Sequence, residues 1–258
     1  MRKYLGWDCA HKTIAWSHIE VNLGVYADLR YLSSALHQLV GARGVLPHHT
    51  DATFVGVAAG IISAAMNDQV FVDMLTDILR RMRDVRFIVY HSCDVRDILD
   101  GRLMANTSPI ERTRALRSML ENTPSTNVSP DTMVIIEEQP GRIGTASNNP
   151  ANAVASQLAF HYAHHPLVFI DAKKKNSLTL GPGLLYAEYL ARELPRHKKA
   201  SDARYAARKR HSRDSHMFLL SVLGLSHVID HIPAGVRDDA ADSTMEILAH
   251  LVSTNAFV

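Results

Sequence analysis

The chain has 258 residues, 47% of them hydrophobic, which is enough to bury the core of one large domain and excludes a disordered protein. Its 28 basic and 26 acidic residues leave a net charge of only +2, so any nucleic-acid surface must come from local clusters of basic residues. The longest apolar run, residues 54–66, is too short to span a membrane. Two cysteines, Cys9 and Cys93, cannot form a disulfide framework, which favours a reducing intracellular compartment.

The first part of the chain predicts three strands and a helical insertion. Residues 3–8 predict a first strand, and residues 13–21, rich in β-branched and aromatic side chains, predict its hairpin partner. Residues 22–85 instead have helical spacing without a comparable strand signal, which predicts an inserted, mainly helical block. Residues 86–91 then predict a third strand.

The rest of the chain alternates helices and strands. Ser108 predicts a helix N-cap, because proline and glutamate follow at the first and third helical positions. Residues 133–138 predict a fourth strand and residues 167–171 a fifth. Further helices are predicted at residues 151–162, in the stretch up to residue 223, and from Arg237 onwards, where an apolar stripe follows. This order predicts an α/β fold in a single domain, residues 1–258, that carries the insertion.

Carboxylates stand where two of these strands end and where the last helix begins. Asp8 closes the first strand, and the apolar run of the fourth strand leads directly into Glu137 and Glu138. Asp239 and Asp242, at i and i+3, project from one side of the first turn of the last helix. Ionised carboxylates at the edge of a low-dielectric core need a counter-charge. The four acids Asp8, Glu137, Asp239 and Asp242 therefore predict a metal site.

The donor set indicates which metal. Carboxylate oxygens without a thiol and histidine set favour Mg²⁺ or Mn²⁺ over zinc. Two such ions, roughly 3.5–4 Å apart, can activate a water and stabilise the leaving oxygen of a phosphodiester. We therefore expect two ions per site and phosphodiester hydrolysis. No Gly-Lys-Ser/Thr phosphate loop stands in the sequence, and we expect no organic cofactor.

These motifs resemble those of a known family. A strand ending in Gly6-Trp7-Asp8, a strand ending in Glu137-Glu138-Gln139, and a last helix with Asp239-Ala240-Ala241-Asp242 resemble the RuvC-type Holliday junction resolvases of the RNase H-like superfamily. The poxvirus and fungal mitochondrial group is the most similar. The resemblance implies a five-stranded mixed sheet flanked by helices, a homodimer on a four-way DNA junction, and Mg²⁺-dependent symmetrical nicking. It also implies that the metal ligands are Asp8, Glu137, Asp239 and Asp242. The family motif leaves the position of Glu138 variable, so we rank Glu138 second as a candidate ligand.

The chain departs from the family pattern in three places. The family usually has a glycine two residues after the first aspartate and often an asparagine further along, whereas Ala10 and Thr13 stand there. Arg237 stands where relatives often have a lysine, which keeps the positive charge. The block at residues 22–85 has no counterpart. Because all four acids are present, we interpret these differences as divergence within an active nuclease.

Basic residues form two local clusters, as a DNA-binding protein of low net charge requires. Three lysines follow the fifth strand directly, and eight basic residues lie between 196 and 213 against a single acid, Asp202. Such clusters hold the phosphate backbone without reading base sequence. The predicted DNA contacts are Lys173, Lys174, Lys175, Lys198, Lys199, Arg204, Arg208, Lys209, Arg210 and Arg213, with Arg142 and Arg237 beside the acids.

The sequence therefore predicts a Mg²⁺-dependent endonuclease that resolves four-way DNA junctions as a homodimer and does not associate with a membrane. One alternative is another RNase H-like nuclease, acting on flaps, branches or RNA–DNA hybrids. An alternative of a different class is a non-catalytic protein that shapes DNA. A first strand that begins at residue 3 leaves no room for a mitochondrial transit peptide, which favours a viral protein of the host cytoplasm or nucleus.

Overall fold

A computed structural model of the protein describes residues 1–10, 12–25, 27, 31, 67–138, 150–178, 180 and 186–254. The chain divides into two compact units. The first unit comprises Met1–Val21, Ile88–Lys174 and His227–His250, and the second comprises Asn22–Phe87, Lys175–Ser226 and Leu251–Val258. The single domain predicted for residues 1–258 stays a prediction.

The first unit is built on one five-stranded mixed sheet, which confirms the general architecture expected from the sequence. Its strands are β1 (Arg2–Cys9), β2 (Thr13–Val21), β3 (Ile88–Asp97), β4 (Met133–Glu138) and β5 (Leu167–Asp171). They lie in the order β3-β2-β1-β4-β5. The β1–β2 and β2–β3 pairs are antiparallel, whereas β1–β4 and β4–β5 are parallel. Because β1 and β4 are parallel neighbours, their carboxyl ends meet at one edge of the sheet.

The third strand is the one whose predicted bounds were wrong. It was expected at residues 86–91, but β3 begins at Ile88 and continues to Asp97. Arg86 has a φ of 51°, and the Phe87 amide donates to the Met82 carbonyl, so both residues finish the preceding helix. The strand is long because it pairs with β2 along the whole length of that strand.

The described helices are α1 (Gln69–Asp84), α2 (Pro109–Glu121), α3 (Pro150–His161), α4 (Tyr186–Glu193), α5 (Ala200–Leu223) and α6 (Arg237–Ser253). Short 3₁₀ turns lie at Leu23–Val25, Met104–Asn106, Pro124–Thr126, Ala172–Ser177, Leu194–Arg196, Ser226–Ile229 and Ala234–Val236. Ser108 and Glu111 form the reciprocal capping box predicted for α2.

Most of the helical block predicted at residues 22–85 lies outside the described residues, and α1 is the helix described within it. Within the described part of the chain, no helix is long and apolar enough to cross a membrane.

The two faces of the sheet have different partners. On one side, which we call the apolar face, Leu5, Trp7 and Cys9 of β1 form a hydrophobic core with side chains of α2 and α3 such as Leu116 and Leu158. Since successive residues of a strand point to opposite sides, Gly6 and Asp8 lie on the other side. That side contacts α6, and we call it the α6 face.

Candidate metal centre

A glycine brings α6 against the central strand. A Cβ placed on Gly6 would collide with the carbonyl oxygen of Ser243 and lie 2.9 Å from Cγ1 of Ile247. Only a residue without a side chain allows backbone to approach this closely. Beside it, the hydroxyl of Ser17 lies 2.8 Å from that of Ser243 and 2.7 Å from that of Thr244. The close approach and the buried hydroxyls together fix α6 on the sheet.

Three carboxylates converge where α6 crosses the ends of β1 and β4. Asp8 is 3% exposed, Glu137 is 9% exposed and Glu246 is fully buried. One oxygen from each lies within 4.8 Å of the others. The register explains the convergence: Gly6 pairs with Ile135, so Asp8 and Glu137, two positions further on, both point to the α6 face. We call Asp8, Glu137 and Glu246 the acidic triad.

The acidic triad has the charge and the oxygen donors to hold a cation. At an effective dielectric constant of about 20, two unit charges 4.8 Å apart repel by roughly 3 kcal/mol. Burial, and then the negative charge of the acidic triad, raises the pKa of the neighbouring Cys9 thiol well above its ordinary value. Oxygen-only donors at this spacing fit a hard divalent ion such as Mg²⁺ or Mn²⁺. The residues present therefore suit the metal that the sequence predicts.

The two aspartates predicted on the last helix are both buried, and neither belongs to the acidic triad. Asp239 is 9% exposed and its Oδ2 accepts a hydrogen bond of 2.5 Å from the hydroxyl of Thr13. Asp242 is 2% exposed. Among the described residues, the group of three or more potential metal ligands whose atoms all lie within 4.8 Å of one another is the acidic triad. The structure thus joins Asp8 and Glu137 with Glu246, and places Asp239 and Asp242 in the turns of α6 before it.

Glu246 was missed in the sequence, although a signal for it exists. It stands at i+4 from Asp242 and i+7 from Asp239, which is the spacing of one helical face. It also stands between Met245 and Ile247, in a stretch that predicted an apolar stripe. In the structure residues 239–251 are buried all round, so this helix has no solvent face to which a glutamate could be assigned. A buried carboxylate in such a helix needs a partner on the sheet.

Register separates the two adjacent glutamates of β4. Glu138 pairs with Asp171 of β5, is exposed, and points away from the α6 face because it follows Glu137 directly. Glu137 is therefore the member of this pair that joins the acidic triad. Arg142, predicted just beyond β4, lies outside the described residues.

The lysines after β5 differ in their exposure. Lys173 and Lys174 are exposed, whereas Lys175 is 1% exposed. An ammonium group with so little exposure cannot reach a DNA phosphate, which corrects the prediction for Lys175. Arg237, at the start of α6, is half-buried, and its Nε donates to the Ile232 carbonyl over 2.9 Å. That bond fixes the Arg237 side chain at the start of α6.

The second basic cluster lies in the second unit, on α5 and just before it. Lys198, Lys199 and Arg204 are exposed. Arg208 and Lys209 are half-buried. Three members lie close to acids. Arg196 and Arg210 lie 3.1 Å and 3.0 Å from the buried carboxylate of Glu193, and Arg213 lies 3.0 Å from Asp214. Arg210 and Arg213 thus neutralise local acids, whereas the exposed residues Lys198, Lys199 and Arg204 present their charge to solvent.

The fold and the acidic triad together define an α/β protein with a candidate metal centre at the edge of its sheet. Comparisons of the chain with protein-family models, with curated proteins and with solved structures found no match.

Proposed function

We propose that the protein is a Mg²⁺-dependent endonuclease of RNase H-like fold that resolves four-way DNA junctions by paired phosphodiester hydrolysis. The observation that carries the proposal is the acidic triad: three buried carboxylates, from β1, β4 and α6, with oxygens within 4.8 Å of one another. Keeping three like charges together in a protein interior is costly unless a cation binds them. The five-stranded mixed sheet and the motif resemblance to RuvC-type resolvases support the choice of nuclease.

The side chains have distinct roles in this proposal. Asp8, Glu137 and Glu246 hold the metal, and Asp239 and Asp242 extend the ligand set along α6. Bound Mg²⁺ would supply an activated water and stabilise the leaving oxygen of the phosphodiester. The sheet and α6 keep the carboxylates in place and exclude bulk water, because β1 and α6 are in backbone contact at Gly6.

DNA contacts are assigned to the exposed basic residues. Lys173 and Lys174 follow β5 in the first unit, and Lys198, Lys199 and Arg204 lie in the second. Phosphate contacts of this kind give an affinity that falls steeply with salt concentration.

A homodimer would present two metal centres to two strands of one junction, which paired nicking requires. A reducing setting, the host cytoplasm or nucleus if the source is viral, suits the free buried thiols of Cys9 and Cys93.

The experiment compares substrates and variants at the same time. Purified protein is incubated with a synthetic four-way junction, a flap, an RNA–DNA hybrid and plain duplex, each with Mg²⁺ or with EDTA. We expect symmetrical nicks in opposing strands of the junction only with Mg²⁺. We expect Asp8→Asn to lower the rate by at least ~10²-fold, as removal of an electrostatic stabiliser does. Glu138→Gln, at the same strand end on the opposite face, should cut as wild type does.

Each other outcome has a defined meaning. Faster cleavage of the flap or the hybrid than of the four-way junction would support a metal-dependent nuclease, but with the flap or the hybrid as its substrate. Binding of the junction with no cleavage of any substrate would favour the non-catalytic alternative. Unchanged cleavage by Asp8→Asn would rule out the acidic triad as the active site.

A further inference from the structure

A threonine of the sheet is bonded to an aspartate of the last helix. The hydroxyl of Thr13, the first residue of β2, donates to Oδ2 of Asp239 over 2.5 Å, across 226 positions of sequence. A hydrogen bond from a neutral hydroxyl to an ionised carboxylate is shorter and stronger than one between neutral groups. The contact therefore fixes the side chain of Asp239 as well as the start of α6.

The sheet places this bond beside the acidic triad. Asp8 pairs with Ala15, and Thr13 is two residues from Ala15, so Thr13 lies on the same face as Asp8. Diagonal neighbours of this kind on an antiparallel pair are about 7–8 Å apart. Through Thr13, Asp239 is thus bonded to the face of the sheet that carries Asp8.

Thr13 itself is held firmly. Its carbonyl accepts a bond of 3.1 Å from the Ala10 amide, which closes the β1–β2 turn, and its backbone pairs with Asp97 of β3. Asp239, by contrast, stands in the first turn of α6, directly after a 3₁₀ turn at Ala234–Val236. The sheet therefore fixes Thr13, and the Thr13 hydroxyl joins this fixed point to the first turn of α6.

We propose that Thr13 is a positioning residue for the metal centre: it holds Oδ2 of Asp239 and so orients this carboxylate, which would be a ligand of an outer, second ion. The inference rests on the proposed function, because it assumes that the acidic triad holds a metal. Partners that orient metal ligands typically contribute 10–100-fold to metal affinity or activity. Such a role explains why a threonine stands where the resemblance would place an asparagine.

The test compares two substitutions that differ in one group. Thr13→Val keeps the β-branched shape and removes the hydroxyl, whereas Thr13→Ser keeps the hydroxyl. Binding of Mn²⁺ is measured without DNA by titration calorimetry and by electron paramagnetic resonance. We expect two ions in wild type, and in Thr13→Val a loss of about tenfold in affinity for one of them. Thr13→Ser should bind as wild type does.

Further variants keep the test decisive. Circular dichroism in EDTA checks that each variant folds, and Thr13→Ala replaces Thr13→Val if the valine variant does not. In Asp239→Asn the outer ion should already be weakened, and adding Thr13→Val should weaken it little further, because both changes act on one interaction. In cleavage assays, the Mg²⁺ concentration for half-maximal rate should rise in Thr13→Val, and saturating Mg²⁺ should restore most of the rate.

Failure of this inference is distinguishable from failure of the proposed function. If wild type binds Mn²⁺, Asp8→Asn does not, and Thr13→Val binds as wild type does, Thr13 is only a structural contact. If wild type binds no Mn²⁺ at all, the metal centre and the role of Thr13 are both overturned.

Discussion

The two faces of the central sheet show how one strand can serve stability and function at once. On the apolar face, Trp7 lies with its ring centroid 5.7 Å from that of Trp16 and 6.0 Å from that of Tyr162. One residue further along β1, on the α6 face, Asp8 belongs to the acidic triad. The apolar face removes hydrocarbon from water, which stabilises the fold without a cofactor. The α6 face concentrates buried polar and acidic groups, which are costly without partners.

The polar groups of the α6 face are of two kinds. The hydroxyls of Ser17, Ser243 and Thr244 satisfy one another by hydrogen bonds and join sheet to helix. The carboxylates of the acidic triad repel one another and cannot do the same. This difference separates a part of the α6 face that joins sheet to helix from a part whose clustered acids could hold a cation.

The largest expected effect comes from neutralising the buried acid of α6. Glu246→Gln should lower Mg²⁺-dependent cleavage by at least ~10²-fold and weaken Mn²⁺ binding, because it removes a ligand. In EDTA the same variant should melt at a higher temperature than wild type, since one source of repulsion is gone. Cleavage assays and Mn²⁺ titration measure the first two effects, and thermal melts with and without Mg²⁺ measure the third.

A matched change on the apolar face sharpens this prediction. Leu158→Ala should lower stability by about 2–5 kcal/mol equally with and without Mg²⁺, because it only opens a cavity. If Glu246→Gln also lost stability in EDTA, the contrast between the two faces would fail and Glu246 would be a structural residue.

An intermediate effect is expected from a substitution at Gly6, where α6 approaches the central strand most closely. Gly6→Ala should destabilise the fold by about 1–3 kcal/mol, because the new methyl group collides with the Ser243 carbonyl and must push α6 away from β1. It should also weaken Mn²⁺ binding, since Glu246 moves with the helix. Denaturant unfolding and calorimetry measure the two effects.

The control for this prediction is another glycine of the first unit. Nothing lies within 4 Å of a Cβ built on Gly235, so Gly235→Ala should be close to neutral. Normal stability and normal Mn²⁺ binding in Gly6→Ala would show that α6 does not depend on this close approach.

The smallest expected effect is a pH dependence of the protein's stability that arises from His18, a histidine of β2. Burial, and then the nearby ring of His91 at 4.7 Å, lower the pKa of His18 from 6.5 to about 4. Between these two values the unfolded chain takes up a proton that the folded state does not, so stability falls as the pH falls through this window. In His18→Gln, the melting temperature should fall by a few degrees less than in wild type as the pH is lowered from 6.5 to about 4. A melting curve that falls as steeply in His18→Gln as in wild type would assign the acid sensitivity to other groups.

Much of the fold could be predicted because its signals are local. The β-branched run of β2 and the Ser108 capping box depend on neighbouring residues alone, and both elements formed where expected. Two features depended on distant contacts and were wrong or missed. β3 runs on to Asp97 because it pairs with β2, and Lys175 is buried by the fold although it stands in a run of lysines.

By itself, the sequence determined which acids end the strands, because strand alternation and the order of elements place Asp8 and Glu137 at one edge of one face. Only the tertiary structure decided which acid of α6 meets them. A helix buried on all sides carries no periodic sign of which face approaches the sheet. The approach is permitted by the missing side chain of Gly6, and it brings Glu246 into the acidic triad, while the Thr13 hydroxyl is bonded to Asp239 in the first turn of the same helix.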